Sequence, residues 1–216
     1  MRKEFRLKRG DKLVLATHNE GKLKEFSDLF SPFGLELISA GQLGLPEPIE
    51  DGTSFRQNAA IKAHASAKGA GMIALADDSG LCVDALDGRP GIYTADWAKK
   101  ADGSRDFNIG MARVEEELQK AGAINLEQRG GSFNATLCLA LPDGDEVFFE
   151  GKINGSLIWP PRGNIGFGFD PVFMPQGYDI SFGEMPSQEK HSYKKGETGL
   201  SHRARAFVKL VEAVCE

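Results

Sequence analysis

The chain has 216 residues, 41% of them hydrophobic and 26% charged, with a formal net charge of −5. This is enough apolar material for one domain, or one core with a second lobe, and it argues against a disordered chain. The acidic balance disfavours a protein that coats duplex nucleic acid, where affinity comes from a basic face, but a local cluster of Lys and Arg can still hold a small phosphorylated ligand.

Residues 1–10 are basic and lack a following apolar core, so they are expected to be a solvated tail rather than a secretory signal. Leu13 to Ala16 is a short apolar run that predicts a buried strand, followed by the polar turn Thr17-His18-Asn19-Glu20-Gly21. Leu23, Phe26, Leu29 and Phe30 recur at helical spacing, and Ser31-Pro32 closes that helix. Residues 47–52 form an acidic, Pro-containing loop; Thr53 or Ser54 can cap the next helix, which carries Ala59, Ala60, Ala63 and Ala67. Met72 to Ala76 predicts a second strand that ends in Asp77-Asp78-Ser79-Gly80. Phe107, Met111, Val114 and Leu118 form an amphipathic stripe stopped by Gly122.

The second half is more β-like. Phe133–Leu141 and Val147–Phe149 flank Pro142-Asp143-Gly144-Asp145, a hairpin signal, and Leu157-Ile158-Trp159 suggests another strand. Arg162 to Asp170 is a Gly-rich aromatic loop, Met185 to Gly199 reads as irregular, and Ala204, Phe207, Val208 and Val211 mark a last helix. The expected class is α/β with a mixed sheet. No apolar run approaches the ~20 residues of a membrane span. Cys82, Cys138 and Cys215 are distant from one another and odd in number, which speaks against a disulfide framework and for a reducing, cytoplasmic setting.

Five stretches can carry chemistry, and each also has a plainer reading. Thr17 to Lys22 sits where a strand gives way to a helix, where free N–H groups and the positive dipole end suit a polyphosphate; it is equally a capped helix with a surface Lys. Asp77 and Asp78 are adjacent carboxylates that need a cation beside them, such as Mg²⁺, and one can accept a proton from water; otherwise an Asp caps a turn in which Gly80 takes positive φ. Glu47, Glu50 and Asp51 can join that metal site, face solvent or cap a helix, and Lys62 on the following helix has the plain reading of a solvated lysine. Gly166-Phe167-Gly168-Phe169-Asp170 lets backbone and a Phe face approach a flat base, or it is a turn with core Phe residues. Lys190 groups with Ser201-His202-Arg203, where Ser201 can cap a helix and His202 and Arg203 put cations against its dipole, which suits a ligand, although all can also be surface polars.

Taken in order, these stretches resemble the inosine triphosphate pyrophosphatase, or Ham1-like, family. Thr17, Asn19 and Lys22 match its T-x-N-x-x-K, Glu50 to Ala59 its E-[DT]-G-x-[ST]-F-x-x-N-A, and Ala76 to Leu81 its A-D-D-S-G-L. Leu86 to Ala95, Gly166 to Phe173 and Ser201 to Ala206 match three further motifs. The resemblance covers nearly the whole chain from Leu13, and its strength lies in six motifs in one order.

The resemblance implies an α/β fold with a long central mixed sheet flanked by helices, two lobes with the active-site cleft between them, spanning residues 11–216 as one domain. It implies Mg²⁺-dependent hydrolysis of ITP, dITP and XTP to the monophosphate and pyrophosphate, in a cytoplasmic homodimer that binds neither nucleic acid nor membrane. By matching position, Thr17, His18, Asn19, Glu20, Gly21 and Lys22 would hold the triphosphate, with Lys62 as a further cation. Asp78 would be the general base and a metal ligand with Glu50, Asp77 a further contributor, and Ser79 would touch the substrate. Phe167 would stack on the base, with Gly168, Phe169, Asp170, Lys190, His202 and Arg203 completing the nucleoside pocket. Two departures stand out: Phe169 replaces the usual Tyr, and the segment from His191 to Ser201 is longer than in compact members. The alternatives are a Maf-like pyrophosphatase of other nucleotides and a nucleotide-binding protein without turnover.

Overall fold

A computed structural model describes residues 5–191, 193–194 and 197–215. The expected strand at Leu13 is β1 (Lys12–Leu15), and the helix after it is α1 (Glu20–Phe30). A short strand that the sequence pattern does not announce follows, β2 (Glu36–Ser39), then α2 (Phe55–Ala70). Of the two possible caps, Ser54 takes the role: its hydroxyl accepts from the Gln57 N–H at 3.2 Å. Next come β3 (Ala74–Val83), α3 (Phe107–Lys120), β4 (Gly130–Ala140) and β5 (Glu146–Leu157). The β4–β5 hairpin closes as expected at Pro142–Asp145, where Gly144 takes φ 101°. That backbone would strain a residue with a Cβ.

Six strands form one sheet in the order β2-β1-β3-β4-β5-β6, with β6 at Phe173–Pro175. Strand β1 is parallel to β2 and β3, whereas β5 and β6 are antiparallel, so the sheet is mixed. Leu157 ends β5 rather than opening a strand of its own. The stretch expected to be irregular contains a one-turn helix, α4 (Ser187–His191), and a small hairpin of β7 (Tyr193–Lys194) and β8 (Glu197–Thr198); residues 192, 195 and 196 of the long segment lie outside the described residues. The last helix is α5 (His202–Val214). Of the basic stretch at residues 1–10, residues 1–4 lie outside the described residues, and Leu7 is buried with its N–H donating to the Val214 carbonyl.

The chain divides into two compact units. The first comprises Met1–Asp78, Ala135–Glu150 and Ala206–Glu216, the second Ser79–Asn134 and Gly151–Arg205. In the first, Ala59, Ala63 and Ala67 of α2 pack on Val14, Ala74, Ala76, Cys138 and Ala140. Alanines four residues apart make a smooth stripe that lets the helix approach the strands closely. In the second, the α3 stripe of Met111, Val114 and Leu118 joins Phe133, Phe169, Phe173 and Phe182 in an aromatic-rich core. No helix among the described residues is long and apolar enough to cross a membrane.

Candidate active site

The first unit gathers the phosphate-type and acidic residues. Asn19 is the N-cap of α1: its Oδ1 accepts from the Gly21 and Lys22 N–H groups at 2.8 and 3.2 Å. Thr17 Oγ1 accepts from the Asn19 N–H at 3.1 Å. Two of the helix N–H groups expected to face an anion are therefore taken by the cap, and the side-chain donors of the turn are the Thr17 hydroxyl, the Asn19 amide and the Lys22 ammonium. His18 donates from Nε2 to the Leu45 carbonyl at 2.8 Å, which anchors the turn to the following loop. Glu20 and Gly21 are exposed.

The acidic pair is not at a strand end. Asp77, Asp78, Ser79 and Gly80 lie inside β3, so the expected turn and positive φ at Gly80 give way to extended pairing. Strand geometry then separates the two carboxylates, because successive side chains point to opposite faces. Each has its own lysine. Lys22 Nζ is 3.1 Å from Asp77, and Lys62 Nζ is 2.6 Å from Asp78. Asp78 shares its face with Ala74 and Ala76, against which α2 packs, and Lys62 belongs to that helix. Lys62 also reaches Glu50 at 2.9 Å. The loop bearing Glu50 is tied to α2 by the Gly52 N–H, which donates to Asn58 Oδ1 at 2.9 Å.

Burial, partly offset by Lys62 and reinforced by Glu50 and Asp77, pushes the Asp78 carboxyl up to about 6. Burial also opposes charge on Lys62, but the Asp78 and Glu50 carboxylates outweigh it and hold the ammonium above its ordinary value. Asp78 Oδ2 is buried and has no hydrogen-bond partner. An oxygen in that state, beside a second carboxylate drawn to the same cationic nitrogen, fits a hard divalent cation. Such an ion needs only one or two carboxylates when phosphates and waters fill its other positions. Among the described residues, no group of three or more His, Cys, Asp or Glu side chains is gathered to hold a metal unaided.

The second unit gathers the expected nucleoside-end residues. Phe167 is 54% exposed, with the Arg203 guanidinium carbon 5.8 Å from its ring centroid. Phe169, only two residues on, is buried and meets Phe107 edge-on at 5.8 Å. The loss of a Tyr hydroxyl at position 169 therefore falls in the core. Gly168 between them has φ 68°. The His202 ring stacks on Phe133 at 5.0 Å, a partner with no signal in the local sequence, and Ser201 caps α5 by accepting from the Ala204 N–H at 3.1 Å. Lys190 is fully buried and pairs with Asp170 at 2.9 Å. Burial pushes the Asp170 carboxyl up, and Lys190 counters it. Ser79, next to Asp78 in β3, is half-buried.

In this mixed six-stranded α/β sheet the inner strand β3 carries a buried carboxylate paired with a lysine, and the same lysine binds a second acid. Residues 13–213 match the Ham1 family, and the chain belongs to it. A dITP/XTP pyrophosphatase of Mesorhizobium japonicum is 58% identical over 205 residues, covering 94% of this chain and 93% of that protein. A dITP/XTP pyrophosphatase of Brucella melitensis is 56% identical over 202 residues, covering 93% and 92%. Among solved structures, a HAM1 protein from Coxiella burnetii superposes with a TM-score of 0.82 at 31% identity, covering 94% of this chain and 97% of that one. A nucleoside-triphosphatase, or dITP/XTP pyrophosphatase, from Mycobacterium abscessus gives 0.71 at 37% identity, covering 93% and 98%.

Proposed function

We propose that this protein hydrolyses the noncanonical purine nucleotides ITP, dITP and XTP to the monophosphate and pyrophosphate, removing deaminated purines from the nucleotide pool. The observation that carries the reading is Asp78: a buried carboxylate with one oxygen on Lys62 and the other without a partner. Such a group can take a proton from an attacking water. Lys22 and Lys62, with the Thr17 hydroxyl and Asn19 amide, offset the charge of the triphosphate, and His18, Glu20 and Gly21 complete that turn. Glu50 and Asp78 would hold Mg²⁺, which supplies charge neutralisation at the phosphate oxygens.

The nucleoside end falls to Phe167, whose exposed face can stack on a base, and to His202 and Arg203, with Gly168, Phe169, Asp170 and Lys190 behind them and Ser79 toward the sugar or phosphates. Hypoxanthine and xanthine carry a 6-oxo group where adenine has an amino group. A site built to donate to that oxygen leaves its donor unpaired against adenine, and this discriminates strongly. We further infer a homodimer working in the cytoplasm, on the resemblance.

The test is a panel of initial rates with Mg²⁺. Pyrophosphate should leave ITP and XTP at least about 100-fold faster than ATP, and faster than GTP, dTTP or UTP. Equal rates across the panel would remove the purine selectivity, and a preference for pyrimidines would favour Maf-like chemistry.

A second outcome concerns pH. Asp78 accepts a proton only when ionised, so kcat/KM for ITP should fall with acidification, about tenfold per pH unit, once the pH is below about 6. Proton and divalent cation compete for the same oxygens, so the break should move to lower pH as Mg²⁺ is raised. A profile that stays flat through the acid range would exclude Asp78 as the base.

A further inference from the structure

In the first unit, α2 meets the sheet through Ala59, Ala63 and Ala67. Methyl groups bury area but give no long side chain to interlock with the strands. They fix the face of the helix more firmly than its position along its own axis. Lys62 depends on that axial position, because its ammonium donates to Asp78 at 2.6 Å. A slip of one residue moves a helix by about 1.5 Å, enough to break such a bond. The register has to be set beside the alanine stripe rather than by it.

Lys62 and His64 stand on either side of Ala63, about 100° round the helix in opposite directions. Lys62 turns toward β3 and Asp78. His64 turns toward β5, where its Nε2 donates to Glu146 Oε2 at 2.8 Å. Arg56 precedes His64 on the same flank by two helical turns. Its guanidinium carbon lies 3.7 Å from the Phe148 ring centroid, and a guanidinium nitrogen is 4.0 Å from Glu150. The spacings agree: the helix rises about 12 Å from Arg56 to His64, and β5 advances about 13 Å from Glu146 to Glu150. Glu146, Phe148 and Glu150 alternate onto one face of that strand, and Phe148 packs against the alanine cluster. One flank of α2 therefore meets one strand at two matched points. The His64 and Glu146 side chains are 36% and 37% exposed, so solvent screens the pair and it adds little to global stability. A weak tie suffices where the stripe resists sliding so little.

We propose that Arg56 and His64 are positioning residues for the reaction: by gripping β5 at two points they set the axial register of α2 and so hold Lys62 on Asp78. This rests on the reading of Lys62 and Asp78 as working parts of the pyrophosphatase, and extends that machinery to a helix flank and a strand that bear none of its groups.

The experiment measures kcat and KM for ITP with Mg²⁺, well below each variant's Tm, in a double-mutant cycle with Lys62→Met. His64→Ala and Glu146→Ala should each lower kcat about three- to fivefold, the most a screened pair can contribute, with KM little changed. Glu146→Gln keeps an acceptor for the His64 N–H and should stay within about twofold of wild type. Removing both grips in Arg56→Ala/His64→Ala should cost about tenfold or more. None of these substitutions should lower kcat further once Lys62 is Met, because the register then has no ammonium to deliver. Losses of the same size with and without Lys62 would mean a general structural role and overturn the proposal. So would equal losses in Glu146→Gln and Glu146→Ala, since the bond to His64 would then not be what matters. Wild-type kcat in Arg56→Ala/His64→Ala overturns it as well, while leaving the assigned function intact. A Lys62→Met protein that turns over ITP like wild type overturns the reading of that lysine and this inference together.

Discussion

Replacing Asp78 by Asn is expected to leave a protein that binds ITP but turns it over about 10²- to 10⁴-fold more slowly, the usual share of a positioned general base. The substitution keeps shape and polarity and removes the ability to accept a proton. The proposed base is Asp78 rather than its neighbour, because the two carboxylates stand in different surroundings. Asp77 is engaged by Lys22 at 3.1 Å on the other side of the strand. Asp78 has an unpartnered buried oxygen and a carboxyl raised to about 6, which places it near the operating range for proton transfer. Asp77→Asn should therefore act mainly through KM, by changing what Lys22 is bound to. The measurement is pyrophosphate release for turnover and calorimetry for binding. An Asp78→Asn protein that keeps wild-type kcat would end the assignment, and one that loses binding along with turnover would make the group a ligand-holding residue instead. Retained binding without turnover in the wild type itself would point to a nucleotide-binding protein.

Much of this site can be read in the sequence, and the part that cannot has identifiable causes. The α1 and α2 helices follow from their own periodicity and caps, and Asn19 and Ser54 do what their residue types favour. Strand β3 is less legible. An apolar run meeting Asp-Asp-Ser-Gly looks like an ending, yet the strand continues because its neighbours in the sheet supply the pairing, and that information is nonlocal. The consequence reaches the chemistry: only within a strand do Asp77 and Asp78 separate onto different lysines. Strands β2 and β6 have four and three residues, too short for an alternating pattern to register. Phe167 and Phe169 are indistinguishable in a Gly-Phe-Gly-Phe string, although one is exposed and the other is core. Lys190 is satisfied largely by main-chain carbonyls, and carbonyls leave no trace in a sequence.

Lys62→Met should lower kcat/KM for ITP about 10²-fold, the scale of losing one pre-aimed electrostatic partner, and it should also change how stability depends on pH. Lys62 is the chief influence that lowers the Asp78 carboxyl against burial. Without it, Asp78 sits above about 6 and is more protonated at neutral pH, so the acid break in the rate profile moves up. The linkage has a definite sign. A buried Asp whose folded pKa is above its unfolded value binds its proton more tightly when folded, so stability falls as pH rises through that window. In the wild type the window runs from the ordinary carboxylate range to about 6. In the variant it extends further upward, so the Tm deficit of Lys62→Met should widen between about pH 5 and about pH 8. At neutral pH, removing one partner of a buried pair costs about 3 kcal/mol. Lys62 itself adds no slope there: its folded pKa is raised, so its stabilising contribution persists until strongly alkaline pH. Millimolar-range divalent cation should recover part of the lost Tm by taking the place of the ammonium between Glu50 and Asp78, whereas a monovalent salt at equal ionic strength should not. A Tm deficit that is constant with pH, or rescued equally by both salts, would show that Lys62 packs α2 without governing the charge of the base.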